Sequence, residues 1–170
     1  MIKHRIYARH SAEVPREERL SIPLIKRCIR ETMRLESVDM PCELGVLITD
    51  DRGIRLINRE FRNMDVATDV LSFPMQEFSP PGWGEVDYEN IDPQTGILML
   101  GDIVLSAQRI GKQAIENDNT LEEETMYLTV HSILHLLGYD HLDEAEEKKK
   151  MREREKLIMH ELGLRKRNLT

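Results

Sequence analysis

The chain has 170 residues, a net charge of −7, and 40% apolar against 32% charged residues. That length predicts one domain over 1–170 around a single core and leaves too little chain for two. No stretch approaches the roughly 20 apolar residues of a membrane helix, and the negative balance argues against general nucleic-acid binding, which needs a basic footprint.

The opening segment MIKHRIYARH is basic, with no apolar core and no small-residue cleavage site, so no signal peptide is expected. Alternation predicts a first strand over 2–8. A helical stripe of Leu20, Leu24, Cys28, Met33 and Leu35 runs through 15–36, and Pro23 predicts that the helix proper begins near it. Cys28 and Cys42 are too few for a disulfide framework and lie in apolar-patterned segments. Buried thiols in a reducing compartment follow, and with them a cytoplasmic location. A second strand spans 43–49, and Asp50 and Asp51 suit the start of a helix over 52–62 that should bury Ile54, Ile57 and Phe61.

The apolar run VLSFP (70–74) predicts a third strand ended by Pro74. Residues 75–96, rich in Pro, Gly, Asp and Glu and containing PPGWG, read as a long acidic loop of the functional or mobile kind. A fourth strand follows over 97–105, then helices over 106–117, 121–137 and about 143–162. Strands early and helices late give an α+β class, a small mixed sheet of about four strands packed with about five helices. No phosphate-cradling glycine loop is present.

The densest chemical signal is HSILHLLGYDH at 131–141. On a helix, His131 and His135 share one face, about 6 Å apart along the axis, so both imidazoles can reach one ion. Gly138 lets the chain bend back and deliver His141 as a third ligand. Three neutral nitrogens leave one tetrahedral position open, the catalytic rather than the structural pattern. The spacing is that of the metzincin metal helix, but the residue after the first His is Ser132, where those proteases carry a glutamate base. Serine stays protonated near neutral pH, which disfavours a metalloprotease. His4, His10 and His160 lack any such spacing. Asp102 and Asp140 are candidates for orienting ligands or water, with capping or turn roles as the alternative.

Arg52, Arg55, Arg59 and Arg62 recur at three- and four-residue intervals on one helix. A solvated face would look the same, but a concentrated basic stripe on an acidic chain suits phosphate, which arginine binds bidentately. The run 148–156 alternates charge and reads as the solvated face of the last helix.

Three segments together, INREFRNMDVATDVLSFP (57–74), LGDIVLS (100–106) and HSILHLLGYDH (131–141), resemble the YbeY proteins, bacterial metal-dependent endoribonucleases of ribosomal RNA maturation. The resemblance implies one zinc ion per chain on His131, His135 and His141, although imidazole suits nickel and other ions as well. It implies a functional arginine after the aromatic residue of the Asn-x-x-aromatic-Arg segment, here Arg62, with His131 also catalytic. It further implies single-strand-specific cleavage in 16S rRNA 3′-end maturation and ribosome quality control. The partners would be precursor RNA and the ribosome or its small-subunit proteins. Ser132 departs from the glycine usual in the family, with little effect expected between two small residues, and the PPGWG insertion is a second departure. A non-catalytic ribosome-assembly factor with a structural zinc is the remaining alternative.

Overall fold

A computed structural model describes residues 1–140 and 145–163. β1 (Arg5–His10) begins three residues later than alternation suggested. α1 (Ile22–Leu35) starts at Ser21, whose hydroxyl accepts the Leu24 N–H at 3.3 Å, with Pro23 in its first turn, while the stretch before it holds only a 3₁₀ turn at Arg16–Glu18. β2 (Cys42–Thr49) leads into α2 (Asp51–Arg62), capped by Asp50 Oδ1 on the Gly53 N–H at 2.8 Å. β3 (Val70–Pro74) ends at its proline, as expected. β4 (Leu98–Ser106) hands over to α3 (Ala107–Glu116) at Ser106, whose Oγ accepts the Arg109 N–H. α4 (Leu121–Leu136) opens with a Thr120–Glu123 capping box, and α5 (Ala145–Glu161) completes the order.

The four strands form one mixed sheet in the order β1-β2-β4-β3. β1, β2 and β4 are parallel, and β3 runs antiparallel along the β4 edge. With five helices packed around it, the class is the α+β one expected. The main core joins one sheet face to α1 and α4 through Ile25, Ile29, Leu44, Ile48, Ile103 and Ile133. Cys28 and Cys42 are free and buried within these layers. A smaller cluster of Ile54, Leu71 and Val104 holds α2 to the other face.

The expected stripe on α2 is therefore met in part. Ile54 is buried and Ile57 half-buried, but Phe61 is 66% exposed. The inward position of that turn belongs to Asn58, whose amide donates to the Val66 carbonyl at 2.9 Å, and Phe61 instead meets Phe73 edge-on at 5.6 Å. The 75–96 segment is not a free loop. It holds a 3₁₀ turn at Tyr88–Asn90, buries Phe78, anchors Trp83 Nε1 on Asp39, and bonds the Gly82 N–H to the Leu137 carbonyl at 2.9 Å. It thus lies across the C-terminal end of α4.

Candidate metal centre

α4 is apolar nearly all round because it is packed on nearly every side. Met126, Leu128, Val130, Ile133, Leu134 and Leu136 are all buried. His131 and His135 form its partly open edge. Their rings stand 4.5 Å apart at 83°, with the two Nε2 atoms 3.0 Å from each other. Two nitrogens at 2.0–2.1 Å from one tetrahedral ion would lie about 3.3 Å apart. The pair therefore fits a shared cation with little movement, while without one at least one nitrogen must carry a proton.

The other side of His131 is fixed. Its Nδ1 lies 2.6 Å from Glu155 Oε1 on α5, and a carboxylate partner holds the proton on Nδ1, which leaves the Nε2 lone pair facing His135. Tyr127 donates its hydroxyl to Glu155 Oε2 at 3.3 Å. Burial first, and the Glu155 charge second, push the Tyr127 hydroxyl above its ordinary range, so it remains a donor. Glu155 was hidden in a segment expected to be solvated. The signal that could have found it is its register: Met151, Glu155, Ile158, Met159 and Leu162 repeat at helical spacing, and all are buried.

The predicted bend forms at Gly138, in the left-handed region at φ +89°. The Tyr139 N–H bonds the Leu134 carbonyl and the Gly138 N–H the His135 carbonyl, the two bonds of a Schellman stop. A side chain at Gly138 would meet the Phe78 carbonyl oxygen at 2.6 Å, so the position is closed both by angle and by space. The next residue is pinned. The Tyr139 hydroxyl donates to Glu36 Oε2 at 2.8 Å, and Arg154 Nε donates to Glu36 Oε1 at 2.6 Å. His141, the third expected ligand, lies outside the described residues, and among those described no group of three potential ligands gathers.

The two histidines open into a cleft of about 610 Å³ shared with Arg62, Ser72, Gln76 and Asp140. Arg62 is the one arginine of the stripe that lines it. Its Nη2 donates to the Ser72 carbonyl at 2.7 Å and its guanidinium sits 5.4 Å from the Phe73 ring centre. Arg55 is instead tied to Asp65 at 2.9 and 3.1 Å, which holds the Asp65 carboxyl below its usual range. Gln76 is buried in the cleft wall, its carbonyl oxygen taken by the Asp87 N–H.

Two sequence expectations need correction or completion. Asp102 does not approach the histidines. Strand alternation sends it, like Val104, to the α2 face, where it lies over Gly45 and lines a separate groove with Ile57 and Phe61. Ser132 is fully buried and donates to the Leu128 carbonyl at 2.6 Å, so its hydroxyl serves the helix and not the cleft. His4 and His10, given no role, accept the Cys42 and Leu20 N–H groups at 3.2 and 3.1 Å.

Comparison with known proteins places the chain in a family. The profile of a family described as Endoribonuclease YbeY matches residues 7–163. The endoribonuclease YbeY of Clostridium botulinum (strain Alaska E43 / Type E3) is 43% identical over 147 residues, covering 84% of this chain and 88% of its own. That of Clostridium kluyveri (strain NBRC 12016) is 42% identical over 146 residues, with coverages of 83% and 88%. A solution structure of TM1509 from Thermotoga maritima superposes with a TM-score of 0.55 at 24% identity, over 95% of this chain and 92% of that one, and supports the fold. The chain belongs to the endoribonuclease YbeY family.

Proposed function

We propose that this chain is a metal-dependent endoribonuclease whose single ion, zinc in the first instance, is held by His131, His135 and His141. The observation that carries the reading is the convergence of the His131 and His135 Nε2 atoms, 3.0 Å apart, in a cleft that also presents Arg62. A divalent ion bound there would polarise a phosphoryl oxygen and ease the ionisation of a water. Arg62 gives one N–H to the Ser72 carbonyl and keeps the rest of its fork for a non-bridging phosphate oxygen. Held in that way, it offsets the charge that grows on phosphate in the transition state without having to reorganise. Ser132, turned into its own helix, offers no base for peptide hydrolysis, which argues against the protease alternative.

The finer assignment rests on the family resemblance: single-strand-specific cleavage in 16S rRNA 3′-end maturation and ribosome quality control, in the cytoplasm, beside small-subunit ribosomal proteins. The test is cleavage of an RNA spanning the 16S 3′ end by purified protein, with and without chelator. Chelation should abolish cleavage and added zinc restore it, and Arg62→Ala should lower the rate by about 10²–10³-fold. Full cleavage in chelator would overturn the reading. A 2′,3′-cyclic phosphate end would assign the attack to the RNA's own hydroxyl.

A further inference from the structure

We infer that Glu155, braced by Tyr127, is a positioning residue that fixes the ring and tautomer of His131 for metal binding. The inference rests on the metal reading above and concerns a residue that would touch neither ion nor RNA. Glu155 is 5% exposed and sits on the inward stripe of α5 between Met151 and Ile158, where an apolar side chain would otherwise pack. Burying a carboxylate there is unfavourable unless it is hydrogen-bonded. Both of its oxygens are used, Oε1 at 2.6 Å from His131 Nδ1 and Oε2 at 3.3 Å from the Tyr127 hydroxyl.

The arrangement has a direction. Tyr127 donates, so it orients the carboxylate and leaves Oε1 as an acceptor. Oε1 in turn requires the His131 proton on Nδ1 and the lone pair on Nε2, the atom that faces His135. Tyr127 and His131 are four residues apart on α4, so one helix face presents both partners to Glu155, and α5 becomes the back wall of the site. Arg154, the preceding residue of α5, holds Glu36 and through it Tyr139, so successive residues of one helix secure both ends of the histidine segment. A carboxylate behind a ligand histidine sharpens ring orientation and raises the basicity of the ligating nitrogen.

The test compares wild type, Glu155→Gln and Tyr127→Phe in the full chain, by zinc titration against a chromophoric competitor and by long-range ¹H–¹⁵N spectra of the imidazoles without metal. Glutamine keeps the shape but removes the charge, and its amide can face Nδ1 and so admit the wrong tautomer. Zinc affinity should fall about 10–100-fold in Glu155→Gln, with a smaller loss in Tyr127→Phe. His131 should change from a single Nδ1–H tautomer to a mixture, while circular dichroism stays unchanged. Zinc affinity and tautomer equal to wild type in Glu155→Gln would overturn the inference. Should that variant fail to fold, the same result in Tyr127→Phe overturns it. A wild type that binds no zinc would instead defeat the metal reading, and the tautomer spectra would still decide the role of Glu155.

Discussion

On the α2 face of the sheet, a groove of about 730 Å³ is lined by Ile57, Phe61, Phe73 and Asp102. At the end of α4, a cleft of about 610 Å³ is lined by Arg62, His131, His135 and Asp140. The two differ little in size and greatly in chemistry. The groove offers mainly apolar surface, with one carboxylate and the cations Arg9 and Lys26 in its lining. The cleft brings two ring nitrogens to one point beside a guanidinium, and each of those groups has an orienting partner, Glu155 behind His131 and the Ser72 carbonyl in the cleft wall for Arg62. The last turn of α2 borders both, since Phe61 lines the groove and Arg62 the cleft, neighbours in sequence that a helix turns about 100° apart. What sets the cleft apart from the groove is convergence and preorganisation, not volume.

That contrast can be broken most sharply by exchanging the effects of its two sides. Asp102→Ala should cleave naked RNA within about twofold of wild type, as expected for a residue remote from the reacting groups. Arg62→Ala in the same assay should show the large loss already given. Comparable losses in the two variants would mean that the groove takes part in cleavage.

Gly138 links the cleft to the loop above it, and its replacement tests that link with a smaller effect. Gly138→Ala forces a side chain into φ +89° and towards the Phe78 carbonyl oxygen at 2.6 Å. Denaturant unfolding should report a loss of about 2 kcal/mol, and zinc affinity should fall with it, because the bend is what carries the chain on from His135. An alanine variant as stable as wild type would show that the 75–96 segment can lift away without cost.

Much of this was readable in the sequence because its signals are local. The helix starts expected near Pro23, at Asp50 and Asp51, at 106 and at 121 fall within a residue or two of the caps found at Ser21, Asp50, Ser106 and Thr120, where each side chain bonds its own backbone. The His131–His135 pair and the Gly138 stop needed only helical geometry. What stayed hidden depends on which element covers which. Periodicity put Phe61 on an inward stripe but could not say that it stays largely exposed there, meeting Phe73 edge-on. Asp102 was assignable to a strand but not to a face, because the two faces carry different helices and the β2–β4 register shifts between Glu43 and Leu44. Glu155 looked like one more charge in a charged run, and its partner His131 lies 24 residues earlier.

The smallest effect belongs to two histidines that line neither hollow. His4 and His10 each accept a backbone N–H through a ring nitrogen, which a protonated ring cannot do. Burial, and then Arg30 beside His4 and Arg19 beside His10, hold both below the ordinary histidine value. The folded state therefore binds fewer protons than the unfolded one in this range, and stability rises with pH. The contribution is complete above the unfolded value of about 6.5 and is lost as pH falls below it towards the lower folded values. Melting temperatures of metal-free protein should accordingly drop by a few degrees between neutrality and mild acid. In a His4→Gln/His10→Gln variant, whose side-chain carbonyls can still accept those N–H groups, the slope should flatten. Taking the difference between variant and wild type at each pH cancels every titration the two share. Parallel curves would place the acid sensitivity elsewhere.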